Sequence, residues 1–332
     1  MDSNRNSLKN MPELVMEKIL SDLDFFDLIS LRKVCQSIRF FIDNFRKMNP
    51  KLQSIRITVE PKSIKSTYRF LDNSERLIIY QTLPNRSSLL KWDQKKRILA
   101  NSNYMDIFLK DFEIFWKNQK LKMEKFQLDL AGNPLKIIYG IRKILAANYE
   151  NNSNFELGKF EIETSNPCQI PKILSKINPK TLEIWNKNDE KEYWDLEEIS
   201  KLNQWKNAKK LTINGFYVDP EIRISENFEK IDLIFEAISW EQVLEFKKTL
   251  LSSQTMECFR IEFEYFKFEK MLIKTFGAPY FPPGRADKYG QKWFFRTSNP
   301  EKILEIRFHS GNRNICFQKI DGFNLPDRAI LQ

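Results

Sequence analysis

A short apolar-x-apolar signal returns six times after residue 121, and it limits what this chain can fold into more than any other feature. It reads Phe126-x-Leu128, Phe160-x-Ile162, Leu182-x-Ile184, Leu211-x-Ile213, Ile231-x-Leu233 and Phe259-x-Ile261, at intervals of 20 to 34 residues. Period-two alternation marks a strand with one buried face. Residues 134–149, 170–177, 195–207, 240–252 and 267–276 lie between these signals and carry helical spacing. Strand and helix alternating at this interval imply parallel strands with right-handed crossovers. A curved solenoid of leucine-rich-repeat-like βα units and an open parallel sheet both satisfy the pattern. The solenoid is preferred, although the asparagine ladder of that repeat is missing. No glycine-rich strand-to-helix turn appears where a nucleotide-binding sheet needs one. Three more strands, at 292–297, 302–308 and 314–320, are expected to cap the last open edge.

Ahead of the repeats the period changes twice. Ile55, Ile57 and Val59, then Tyr68 and Phe70, then Leu77 and Ile79 read as short strands broken at Glu60-Pro61 and Asp72-Asn73-Ser74. Residues 84–102 are polar and basic, with Lys91, Lys95, Lys96 and Arg97, and read as a loop or an exposed helix. Residues 104–118 read as a helix whose aromatic stripe (Phe108, Phe112, Phe115, Trp116) is a core face. Trp194, Trp205 and Trp240 lie near helix signals and are read as core. The expected organisation is an α+β or α/β chain. It has a disordered tail at 1–10, a helical module at 11–50, a β-rich basic linking segment at 51–102 and a βα repeat domain at 103–325.

Composition excludes several classes of function. The four cysteines, Cys35, Cys168, Cys258 and Cys316, are widely spaced and the single histidine is His309. No zinc site with clustered ligands is legible, no cofactor motif appears, and the commonest general base is scarce. His309 is read as structural, and the chain as a non-enzyme. Scattered thiols suit a reducing compartment, cytoplasm or also nucleus. No long apolar run suggests a membrane span. Residues 1–125 hold 24 Lys and Arg against 15 Asp and Glu, while residues 126–332 hold 30 against 29. The net charge of +10 therefore belongs to the first third. With Tyr68, Phe70, Tyr80 and Trp92 interleaved, that third supports an alternative reading as a nucleic-acid-binding or RNA-regulatory protein.

Residues 11–43 read MPELVMEKILSDLDFFDLISLRKVCQSIRFFID. Pro12 and Glu13 suit a first helical turn. Val15, Ile19 and Leu23 recur at helical spacing, as do Leu28, Leu31, Val34, Cys35, Ile38, Phe41 and Ile42. The order Pro12, Leu14, Val15, Ile19, Leu20, Leu23, Asp27, Leu28, Leu31, Arg32, Val34 and Cys35 resembles the F-box pattern. Met11 stands in place of the usual Leu, and Ile38 stands where many F-boxes carry Trp. The resemblance implies a module that binds a Skp-type adaptor and, through it, a cullin scaffold. The adaptor-contacting set it implies is Pro12, Leu14, Val15, Ile19, Leu20, Leu28, Leu31 and Val34. Periodicity alone does not separate those that face the adaptor from those that face the rest of the chain.

Three later stretches, NPKTLEIWN (178–186), QWKNAKKLTINGF (204–216) and the KWFFRTSNPEKILEIRF run ending at 308, resemble the FTH (FOG-2 homology) domain. That domain follows the F-box in the nematode F-box A family, and the likeness covers roughly residues 105–320. It implies a ubiquitin-ligase substrate receptor whose C-terminal domain holds a target protein of unknown identity, with no chemistry of its own.

Overall fold

A computed structural model describes residues 11–21, 23, 25–32, 34–45, 51–92, 94–119, 122–132, 134–149, 155–221, 227–266, 269–281 and 290–332. The tail expected at 1–10 lies outside them. Three short helices open the chain: α1 (Glu13–Ser21), α2 (Phe25–Arg32) and α3 (Gln36–Phe45). An antiparallel meander follows, made of β1 (Leu52–Glu60), β2 (Ser63–Phe70), β3 (Glu75–Leu83), β4 (Ser87–Trp92) and β5 (Lys95–Leu99). Helix α4 (Tyr104–Asn118) leads into the alternating region. That region comprises β6 (Met123–Leu130), α5 (Leu135–Tyr149), β7 (Leu157–Thr164), α6 (Ile170–Leu174), β8 (Pro179–Asn186), β9 (Glu192–Tyr193), α7 (Glu197–Ser200), α8 (Asn203–Asn207), β10 (Lys210–Tyr217), β11 (Lys230–Ala237), α9 (Trp240–Ser252), β12 (Cys258–Tyr265) and α10 (Glu269–Phe276). The chain closes with β13 (Gln291–Arg296), β14 (Lys302–His309) and β15 (Asn314–Asp321).

The described strands form one mixed sheet in the order β13-β14-β15-β12-β11-β10-β8-β7-β6-β1-β2-β3-β4-β5, with β9 pairing beside β10. Its middle, β1-β6-β7-β8-β10-β11-β12, is parallel throughout. Both ends are antiparallel. Each of the six expected apolar-x-apolar pairs falls in a parallel strand. The tail strands cover β12, as expected, with β15 pairing antiparallel to it. The coarse α+β reading therefore stands as a helical N-terminus followed by a large mixed sheet with helices.

Residues 84–102 correct the expectation of a loop or exposed helix: β4 and β5 form a hairpin there. The cause is backbone pairing. Strand β5 leaves Lys95, Lys96, Arg97 and Ile98 exposed, so its side chains carry no inward–outward alternation. The edge position tolerates this, since charged residues on an edge discourage pairing with other chains.

The core runs the length of the sheet on one face. Ile55, Ile57, Phe126, Leu128, Phe160, Ile162, Leu182, Ile184 and Leu233 are all fully buried. Helix α4 lays its stripe on this face, with Phe112 stacked on Phe126 at 6.1 Å and Trp116 at 5.2 Å from the same ring. Phe246 of α9 packs against Phe235 and Phe259 in the same way. Burying one Phe side chain contributes roughly 1.5–3 kcal/mol, and a chain with 27 of them can hold a wide sheet on one side alone. Trp194, Trp205 and Trp240 are buried as expected.

Gly215 interrupts the pairing of β10. It sits at φ +77°, and a Cβ there would lie 2.6 Å from Cβ of Asn186. Asn186 donates from Nδ2 to the carbonyl oxygens of Gly215 and Glu190, both at 3.0 Å. The register of β10 on β11 shifts between Thr212 and Tyr217, and β9 pairs with the end of β10 just beyond. Only glycine meets both the backbone angle and the close approach.

Candidate functional site

The N-terminal helices bury one side and leave another bare. Pro12 starts α1, and its carbonyl accepts from the N–H groups of Val15 and Met16 at 3.0 and 3.1 Å. Met16 and Leu20, four residues apart, point inward at 4% and 0% exposure. Leu28 and Ile29 of α2 and Ile38 and Ile42 of α3 close the same small core. Arg39 Nε donates to the carbonyl of Arg32 at 3.2 Å and ties α3 to the end of α2.

The eight residues expected at the adaptor contact divide by exposure. Leu14 (79%), Val15 (43%) and Val34 (66%) are bare, and Pro12 is exposed beside them. Ile19 and Leu31 are half-buried, while Leu20 and Leu28 are covered within the chain. Phe40 of α3 is 66% exposed. Sequence reasoning passed over it because Phe40 falls next to Phe41, and helical spacing assigned only one of the pair. An exposed Phe on an otherwise amphipathic helix is the signal that could have found it.

The helical module is joined to the sheet by one side chain above all. Phe26 of α2 meets Tyr68 at 6.0 Å, Phe70 at 5.7 Å and Phe115 at 5.2 Å. The guanidinium of Arg76 lies 5.8 Å from the same ring. Tyr68 in turn stacks on Phe115 at 4.0 Å. Helices α1–α3 therefore share a core with β2 and α4.

Tyr68 and Tyr80 are buried, and Phe70 and Trp92 pack against the same core. The aromatics that suggested a base-stacking surface in the basic first third are thus spent on packing. Tyr80 donates to Asp111 Oδ2 at 3.2 Å in that interior. Burial, then the charge of Asp111, pushes its phenol well above the ordinary range.

The helix-free face of the sheet is a lattice of charge. In register across it run Lys125, Lys159, Thr181, Lys210 and Lys230, and beside them Gln127, Glu161, Glu183, Thr212 and Asp232. Lys125 meets Glu161 at 2.8 Å, and Lys159 bridges Glu161 at 3.3 Å and Glu183 at 2.6 Å. Farther along, Glu264 accepts from Lys191 at 2.5 Å and from Arg313 at 2.8 Å. Burial alone would push the Glu161 carboxyl up, but the hydrogen bonds and charges of Lys125 and then Lys159 outweigh it and hold it below its ordinary value.

Catalytic geometry is not found among the described residues. No group of three or more His, Cys, Asp or Glu could hold a metal ion. His309, half-buried at the end of β14, is held below its ordinary value by burial and by Arg307 and Lys292. A polar hollow of about 440 Å³ between Ser253, Glu257, Thr297, Lys302 and Lys319 holds two lysines already engaged. Lys302 pairs with Asp321 at 2.9 Å, and Lys319 donates to the Ser253 carbonyl. No described helix is long and apolar enough to cross a membrane.

Comparison with known proteins adds what geometry does not. The F-box domain model matches residues 8–49, and the FTH domain model matches residues 135–279. The first match spans α1–α3, and the second runs from α5 past α10. The FTH signature residues in this chain are structural. Trp205 is buried edge-on against Phe228 at 5.5 Å, Gln204 Nε2 donates to the Ser175 carbonyl, and Ala208 is fully covered. F-box A protein 224 of Caenorhabditis elegans is 22% identical over 310 residues, spanning 90% of this chain and 76% of its own length. No solved structure matches. F-box and FTH domains are interaction domains, and an F-box gives its chain an adaptor-type role in ubiquitin ligation. The chain thus carries an F-box domain followed by an FTH domain, and it is similar along nine-tenths of its length to an F-box A protein.

Proposed function

We propose that this protein is the substrate-recognition subunit of a Skp-cullin-F-box ubiquitin ligase. It binds the adaptor through α1–α3 and presents a target protein on the sheet that follows. The observation that carries this reading is the set of exposed apolar side chains on α1 and the α2–α3 turn, Leu14, Val15 and Val34, on a module whose Met16, Leu20, Leu28, Ile29, Ile38 and Ile42 are covered within the chain. Pro12, Ile19 and Leu31 border the contact, and Leu20 and Leu28 hold the helices that present it. Residues 11–50 dock, residues 51–102 link, and residues 103–325, read as a βα repeat domain, hold the target. The work is done in a soluble compartment, cytoplasm or nucleus.

The mechanism is proximity. A chain that holds a target at one end and a ligase scaffold at the other raises the local concentration of target near the transfer enzyme. Phe26 supports this role, because a module sharing a core with the sheet keeps the two ends at a fixed spacing.

Size-exclusion chromatography of the full chain mixed with a Skp-type adaptor tests the reading. A one-to-one complex that persists from low salt to 0.5 M is expected, since an apolar contact responds little to ionic strength. A chain that ignores the adaptor and instead binds RNA, with affinity falling steeply as salt rises, would favour the nucleic-acid alternative.

A further inference from the structure

Two thiols meet on the helix-free face, far from the F-box. Cys258 begins β12 and Cys316 lies in β15, the strand paired antiparallel to it. Their sulfurs are 4.0 Å apart although 58 residues separate them in sequence. Cys316 stands in register with Arg260 on one side and Arg307 on the other. Cys258 stands in register with Lys230. Cys316 is buried and Cys258 is partly open to solvent. Arg260 pairs with Asp232 at 3.6 Å and Arg307 with Glu305, so these carboxylates partly offset the positive charge. The arrangement is that of an attacking thiol backed by a resolving one.

We propose that Cys258 and Cys316 are a redox-active pair that a hydroperoxide converts to a cross-strand disulfide, stapling the last parallel strand to the C-terminal hairpin. The Cys258 thiolate attacks the terminal oxygen of the hydroperoxide. The O–O bond breaks, the oxygen stays on sulfur as a sulfenic acid, and the alkoxide leaves and takes a proton. The Cys316 sulfur then attacks the Cys258 sulfur. The S–S bond forms as the S–O bond breaks, and the hydroxyl departs with the Cys316 proton as water. Two thiols are oxidised and one peroxide is reduced. Cys258 stands opposite Gln318 and Cys316 opposite Arg260, so the pair is diagonal in the ladder, and closing the gap requires rotation about the Cα–Cβ bonds of both cysteines with a small approach of the two strands.

The electrostatics agree with the geometry. A hydrogen bond from Cys316, helped by Arg260 and Lys230, outweighs burial and brings the Cys258 thiol down to about 7. The same contact and burial push the Cys316 thiol well up. Cys258 is therefore more readily ionised at neutral pH than an ordinary thiol. In a reducing compartment such a disulfide is transient and reversible.

The test uses the folded full chain, treated with stoichiometric hydrogen peroxide at pH 7, blocked with iodoacetamide and mapped by mass spectrometry without reductant. A cross-linked Cys258–Cys316 peptide that dithiothreitol releases is expected. So is several-fold faster alkylation of Cys258 than of the more exposed Cys168 in untreated protein. In Cys316→Ser, dimedone should trap the sulfenic acid at Cys258. Recovery of both residues alkylated as free thiols after Cys168 has been oxidised would overturn the proposal, and that result needs no variant to fold.

Discussion

At the scale of single residues, Phe26 carries the largest consequence. Its ring touches three aromatics from two elements, so it is the hinge pin between the F-box and the sheet. It is half-buried, so truncation costs less than the ~3–5 kcal/mol of a fully buried Phe. We expect Phe26→Ala to lower stability by about 2–3 kcal/mol. Urea unfolding followed by tryptophan fluorescence checks this, and a midpoint within error of wild type would mean that the F-box is not docked as described. The same scale shows where sequence reading ends. Leu14 and Leu20 are the same residue type on one short helix, yet one is bare and the other fully covered. Helical spacing selects apolar positions without saying which side the rest of the protein occupies, and that side is set here by packing with other elements, α2 and α3 among them.

At the scale of elements, the parallel strands were legible and the edge hairpin was not. Phe126-x-Leu128 and its five counterparts each have a helix to bury against, so burial wrote the alternation into the sequence. Strand β5 buries almost nothing, and its pairing with β4 is a backbone matter that leaves no periodic trace. The charged face is a similar case. Lys125, Lys159, Glu161 and Glu183 look like unremarkable surface residues until the register puts them side by side. Linkage then gives their effect a sign. Glu161 has its folded pKa below the ordinary 4.5, so its contribution is present above that value and fades as pH falls through the folded pKa. Lys159 is the mirror case. Burial opposes its charge, but the hydrogen bonds that it donates to Glu183 and Glu161 raise its pKa above the ordinary 10.5. Its contribution is present below that value and lost as pH climbs through the folded pKa. Partly exposed networks contribute about 1 kcal/mol. Glu161→Gln should therefore melt about 1–2 °C below wild type at pH 7, with the gap closing below about pH 4 as the wild-type carboxyl is protonated. A gap that stays constant down to pH 3 would remove the ion-pair account of this face.

At the scale of the whole molecule, the F-box and FTH regions are parts of one continuous packing arrangement. The sheet runs unbroken from β5 to β13, and the buried side chains from Met16 to Phe317 form a single cluster. On the proposed function, this shared core would hold adaptor and target at a fixed spacing, which suits transfer by proximity. The F-box and FTH stretches were readable because they keep local residue order. The rigid join between them was not, because it rests on contacts between segments distant in sequence.

The central claim is that bare apolar residues on α1 to α3 bind a Skp-type adaptor, and Leu14→Asp combined with Val34→Asp tests it most directly. Both side chains are exposed, so the double variant should fold and melt like wild type. A carboxylate forced into an apolar contact costs several kcal/mol, roughly, which predicts loss of adaptor binding by at least a hundredfold in a calorimetric titration against the wild-type chain. Undiminished binding by the folded double variant would contradict the account.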